Sequence, residues 1–132
     1  MADFNYQGVS LLPFKAGAAI GQNRLVKLDS TAGRVVVTSA ITDAAIGVST
    51  ISAAAANDLV AVQTSGVAKL VASGPVSLGD EVMPTGSGSG KVVTSSGATA
   101  RSIGIALEAA GADGDVIAVL LSTPALKGPA NS

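Results

Sequence analysis

The stretch Asp58-Leu59-Val60-Ala61-Val62 returns 57 positions later as Asp115-Val116-Ile117-Ala118-Val119. An acidic residue opening a run of small and branched apolar side chains is the pattern of a short β-strand entered from a turn. The same shift carries Gly33-Arg34-Val35-Val36 onto Gly90-Lys91-Val92-Val93, and Ile46-Gly47-Val48 onto Ile103-Gly104-Ile105. It also sets Asn23-Arg24-Leu25 on Asp80-Glu81-Val82, with no gap between the four matches. One match could arise by chance in a chain rich in Ala, Val and Gly. Four in one register argue for a duplicated unit. Two copies are too few for a solenoid, which needs three or more repeats to bury its faces. The expectation is an all-β domain, a compact barrel or sandwich, whose halves at about 16–66 and 73–123 pack around a pseudo-two-fold.

Outward from these matches, Val- and Ile-rich runs bounded by Gly, Asp, Asn, Ser and Thr place strands at 24–28, 34–38, 45–49 and 59–64. Their mates fall at 81–83, 91–94, 102–106 and 116–121. A hairpin of 59–64 with 67–71 about Ser65-Gly66 is expected to link the halves, and an earlier strand is expected at 9–15. Both alternating sets of 59–64 are nearly apolar, which implies strands covered on two faces or a face kept for a partner. Ser52-Ala53-Ala54-Ala55-Ala56 has high helix propensity. Its mate at 109–114 contains two glycines, so both read as turns. Residues 85–90, Thr-Gly-Ser-Gly-Ser-Gly, read as a flexible hairpin tip. The layout is an N-terminal arm at 1–15, the duplicated body at 16–122, and a tail at 123–132 with Pro124, Gly128 and Pro129. Gly33, Gly47, Gly90 and Gly104 are the structural glycines of the repeat, and glycine inside a strand marks a bulge or a close backbone approach.

Composition narrows the function. Of 132 residues, 48% are hydrophobic but only 2% aromatic, and 13% are charged, about half the usual quarter. Mean hydropathy is +0.53. Such a chain is expected to cover surface by association. A net charge of −1 without a Lys/Arg cluster argues against direct nucleic-acid binding. No apolar run reaches the length of a membrane-spanning helix. The start, Met1-Ala2-Asp3-Phe4-Asn5, has neither a basic nor an apolar signal region, so synthesis in the cytoplasm is expected.

The chain has no Cys and no His, which removes thiol nucleophiles, disulfides, zinc sites of the usual kind and His-based acid/base chemistry. Gly86-Ser87-Gly88-Ser89-Gly90-Lys91 imitates a phosphate loop, but Thr85 replaces its first glycine and Val92 its hydroxyl residue. Asp113-Gly114-Asp115 lacks the further ligands and distant Glu of a calcium loop. No Gly-x-Ser-x-Gly elbow and no Ser-x-x-Lys is present. No catalytic residue, metal or cofactor is expected. The aromatics Phe4, Tyr6 and Phe14 all stand in the first 14 residues, with Leu11 and Leu12 between them. They are the candidate docking residues, since interfaces concentrate their energy in a few large apolar anchors. The other reading is that they cap the barrel's own core.

The order of elements resembles a known family. Leu25-Val26-Lys27, Gly33-Arg34-Val35-Val36, Ile46-Gly47-Val48, residues 58–63 and Ser65-Gly66-Val67 are followed by Ile103-Gly104-Ile105-Ala106-Leu107-Glu108 and the closing run 115–121. In that order they are similar to the small capsid cement, or head decoration, proteins of tailed bacteriophages. The resemblance implies a structural virion protein. It would bind the outer surface of an assembled head, commonly as a homotrimer, and clamp major capsid protein subunits to one another. It implies no catalytic residues. A small carbohydrate-binding or adhesin-type β module is the alternative, although sugar platforms rest on Trp and Tyr, and this chain has no Trp and one Tyr.

Overall fold

The computed structural model describes residues 10–86, 89–95 and 102–121. Ten strands follow one another with no helix among the described residues: β1 (Leu11–Ala16), β2 (Leu25–Leu28), β3 (Arg34–Val37), β4 (Ala45–Ser49), β5 (Leu59–Gln63), β6 (Val67–Val71), β7 (Glu81–Pro84), β8 (Val92–Thr94), β9 (Gly104–Ala106) and β10 (Val116–Leu121). The all-β expectation holds, and the strands fall within a residue or two of their expected places. The Ala-rich stretch is a bridge and a turn: Ala53 pairs with Ile20, and Asp58 Oδ2 accepts the Ala54 and Ala55 N–H groups at 3.1 Å each. Asp115 Oδ2 repeats this on Gly111 and Ala112.

The first five strands close a barrel in the order β1-β3-β2-β4-β5. The other five form a sheet with the same neighbours, β6-β10-β9-β7-β8. Each strand therefore has a mate, and the units reach one strand further back than 16 and 73, because β6 holds in the second unit the place of β1. The lumen of a five-stranded barrel is narrow, and small branched side chains fill it. That accounts for a core of Ala, Val and Ile: Ala16, Ile20, Val26, Val35, Ala53, Val60 and Val62 in one unit. Ala72, Val76, Val82, Val92, Ala110, Ile117 and Val119 fill the other.

Three expectations are corrected. First, β5 and β6 make no hairpin. β5 is flanked by β1 and β4, and β6 pairs with β10, so no edge is left for the pairing. Ser65 and Gly66 (φ 84°) instead pass the chain from one unit to the next. Second, the repeat is not gapless. Val26 faces Gly47 as Val82 faces Gly104, a shift of 56 on one strand and 57 on the other. The extra residue lies in the β7–β8 connection, so the mate of Leu25 is Glu81 and that of Asn23 is Gly79. Asn23 and Gly79 share a left-handed backbone, at φ 63° and 87°.

Third, the halves are not related by a two-fold, because their contacts are not reciprocal. In the first unit, β1 and β3 pair in parallel and seal the barrel. In the second, β6 and β8 meet only through the bridge Ala72↔Val92, and residues 23–25 of the first unit enter beside it. Val71 N–H donates to the Asn23 carbonyl at 3.0 Å, and Leu25 N–H to the Gly90 carbonyl at 2.7 Å. The Leu25 side chain, 1% exposed, joins the second unit's core together with Ala45 and Val48. The mated contact would bring Glu81 to Gly33. Glu81 is exposed, and a Cβ on Gly33 would meet no described atom within 4 Å.

Candidate interaction surface

With both cores filled from within, function falls to the outer faces. Residues opposite one another in an antiparallel pair share a face. In the β1–β5 pair, Leu12 with Val62 and Phe14 with Val60 point inward, while Leu11 with Gln63, Pro13 with Ala61 and Lys15 with Leu59 point outward. Phe14 is half-buried and packs against the barrel core. Leu11 and Leu12 stay exposed. Beside them the chain leaving β4 is fixed by Thr50, whose N–H (3.0 Å) and hydroxyl (2.9 Å) both donate to the Ala61 carbonyl. This sets Ile51 next to Leu59, which is 67% exposed. The result is an open apolar groove of about 300 Å³, lined by Leu11, Leu12, Pro13, Ile51, Leu59 and Ala61.

The second unit has an apolar face of its own. Val67, Leu120 and Ile105 stand in one row across β6, β10 and β9. All three are exposed, as are Leu107 and Val116. Lys69 and Glu108 interrupt the area around this row. The position in the first unit that matches Ile105 is Val48, buried by the second unit at 1% exposure.

Of the candidate docking residues, Phe4 and Tyr6 lie outside the described residues. Leu11 and Leu12 fall on the groove, and Phe14 turns away from it. The segment expected as an arm at 1–15 includes β1 from residue 11 onward, a full strand of the barrel. Sequence reasoning passed over Ile51 and Leu59. Leu59 follows the turn-closing Asp58 at the head of a strand, and its large side chain at an outward position was the available signal. Gly47 and Gly104 occupy matching places. A Cβ on either would run into a backbone carbonyl of the adjacent strand, that of Gln63 or of Leu120. Gly33 and Gly90 share a left-handed backbone, at φ 83° and 72°, but only Gly90 is packed against the other unit.

The polar groups serve the fold. Asp43 Oδ2 accepts the Ser39 and Ala40 N–H groups at 2.7 and 2.9 Å and pairs with Lys27 Nζ at 3.1 Å. Burial raises its pKa, but the two N–H groups and Lys27 outweigh it and hold the carboxyl below its ordinary value. No group of three or more acidic, His or Cys side chains among the described residues is placed to hold a metal ion.

Comparison with known proteins gives the chain a family. The phage cement protein family matches residues 29–121. The chain belongs to that family. No curated protein sequence matches it. Among solved structures, the N base of the head fiber protein gp8.5 of bacteriophage phi29 is similar in fold, with a TM-score of 0.69 at 16% identity. The alignment covers 86% of this cement protein and 94% of the phi29 chain. Family membership makes the protein a phage structural component associated with the capsid and the virion.

Proposed function

We propose that this cement protein binds the outer surface of an assembled phage head as a homotrimer and stabilises contacts between major capsid protein subunits. The observation that carries the reading is the family match over 29–121 together with apolar side chains left exposed on both units of a fold whose cores are already filled. Patches of this kind mark protein interfaces. The docking element is the N-terminal segment with Phe4 and Tyr6, continued by Leu11 and Leu12, and Phe14 anchors it to the barrel.

The test is co-sedimentation with isolated heads that lack the protein, followed by thermal release of their DNA. Saturable binding and a higher release temperature are expected. Absence of binding to heads, with binding to a sugar array, would replace this reading by the carbohydrate module. Light scattering at about 50 and 500 mM salt, roughly a threefold change in screening length, should give one unchanged trimer mass. A monomer at both concentrations would remove the solution trimer.

A further inference from the structure

Each unit carries a row of outward residues across four strands, and the two rows match. In the first unit, register sets Leu11, Gln63, Val48 and Leu25 side by side across β1, β5, β4 and β2. In the second it sets Val67, Leu120, Ile105 and Glu81 side by side across β6, β10, β9 and β7. Three residues of the first row, Gln63, Val48 and Leu25, are buried. The second unit is what buries them. Val48 and Leu25 join its core, and Gln63 Nε2 donates to the Ser65 and Val67 carbonyls at 2.9 and 2.8 Å. The row of the first unit is thus the surface by which it binds its neighbour. In the second unit, Val67, Leu120 and Ile105 hold the same places and are exposed.

The first unit has an apolar surface that the second lacks. At the end of its groove away from Leu11 stand Pro13, Ile51 and Leu59. The matching places in the second unit hold Lys69, Glu108 and Val116, so two of the three are charged. The open row and the groove are both exposed, so they do not meet within one chain. We infer that they meet between chains: the row Val67, Leu120 and Ile105 of one copy lies on Pro13, Ile51 and Leu59 of a second copy. The occupant is a second copy because this contact continues, on the second unit, the kind of contact that already joins the two units, and because it covers both surfaces at once. A two-fold contact, row on row or groove on groove, would leave the other surface bare. The contact is head-to-tail, so a growing assembly keeps one open row and one open groove until it closes into a ring. That the ring holds three copies rests on the homotrimer proposed above. Leu11 and Leu12, at the other end of the groove, remain available to the head.

The chain has no cysteine, so introduced thiols report on the chosen positions alone. Leu59→Cys and Ile105→Cys, both at exposed positions, are combined in the full chain and treated with a short bis-maleimide. Covalent oligomers are expected, with residue 59 of one copy joined to residue 105 of the next by mass spectrometry of the digest. Either substitution alone should give none. Leu120→Asp should lower the mass seen by light scattering to that of one copy, with far-UV circular dichroism kept. Leu28→Asp, at an exposed leucine outside both surfaces, should leave the mass unchanged. A link between two copies of residue 105 in the Ile105→Cys chain would overturn the inference and assign the row to a two-fold contact. An oligomer that joins neither position, an oligomer untouched by Leu120→Asp, or a protein that stays a single copy would also overturn it. A covalent ladder running past three copies would keep the contact and remove the trimer. Head binding is scored separately by co-sedimentation, so a chain that cross-links as expected and ignores heads would remove the head reading alone.

Discussion

Leu25 and Glu81 hold the same place in two copies of one unit, at the start of β2 and of β7. Leu25 is buried in the core of the other unit; Glu81 faces solvent. The inward residues of the two strands do not diverge in this way, since Val26 and Val82 are both fully buried. Duplication has kept the inner faces alike and let the outer faces part. The reason is physical. A narrow lumen accepts few side chains, whereas an outer face answers to whatever lies against it. In the first unit that is the second unit. In the second unit the matching face is open. The asymmetry makes the halves donor and acceptor rather than equals, and it leaves exposed apolar surface on both, for different reasons.

The likeness of the inner scaffold is tested most severely at Gly47 and Gly104. In each, a Cβ would overlap a backbone carbonyl of the next strand, and the closest side chains are the mates Val62 and Val119. Backbone cannot swing aside as a flexible side chain can. Gly47→Ala and Gly104→Ala should each destabilise by about 3 kcal/mol, and chemical denaturation should find the two costs within about 1 kcal/mol of each other. One neutral result beside a severe one would show that the two strand pairs are not equivalent.

The donor–acceptor relation predicts unequal costs at mated positions. Leu25→Ala should cost about 2–4 kcal/mol, through lost burial and a cavity at the seam. Hydrogen exchange should speed up at Val71 and across β8, in the acceptor unit, more than in the barrel that carries the substitution. Glu81→Ala should stay within about 1 kcal/mol of the parent. Similar costs at both positions would restore a two-fold arrangement.

Most of the strands were legible because short Val/Ile runs between Gly and Asp have few other uses, and because each run occurs twice. What stayed hidden was relation rather than element. The pairing of Asn23-Arg24-Leu25 with Asp80-Glu81-Val82 satisfied a gapless alignment by polar likeness at its first residue. The better clue was that Asn23 and Gly79 are both residue types that tolerate a left-handed backbone. Once shifted, Leu25 falls opposite Glu81, and an apolar residue opposite a charged one is the trace of an interface present on one copy only. The 59–64/67–71 hairpin was inferred from proximity along the chain, but strand pairing is decided by which edges are still open. Of the groove, Leu11 and Leu12 were visible as large apolar residues. Ile51 and Leu59 come beside them only through the β1–β5 and β4–β5 pairings, which periodicity does not reveal.

A smaller gap should separate Gly33 from Gly90. Both have positive φ, so alanine at either carries a backbone cost of about 1–2 kcal/mol. Gly90 carries more, because a Cβ there would come within 2.9 Å of Arg24 Cβ and 3.0 Å of the Leu25 carbonyl. Gly90→Ala should therefore exceed Gly33→Ala by about 1–2 kcal/mol. Equal costs in the parent background would mean that the wedge at residues 23–25 yields freely.

The smallest effect is a pH dependence carried by the first unit. Asp43 has its carboxyl pKa held low, burial opposing the Ser39 and Ala40 N–H groups and Lys27 but not prevailing. A depressed carboxyl pKa contributes stability that is present above the unfolded value, about 4, and is lost as pH falls through the folded one. The shift of 57 puts Ala100 at the matching position, so the second unit has no such carboxylate there. Asp43→Ala should cost about 1 kcal/mol at pH 7, like the loss of a helix-capping carboxylate, and the difference from the parent should shrink as denaturation is repeated below about pH 4. Added salt should change the cost little, because the two N–H bonds are short-range and an ion pair as open as Lys27–Asp43 contributes little of its own. A cost that persists undiminished in acid would assign the effect to packing of the 39–43 turn, and one abolished by salt alone would assign it to Lys27.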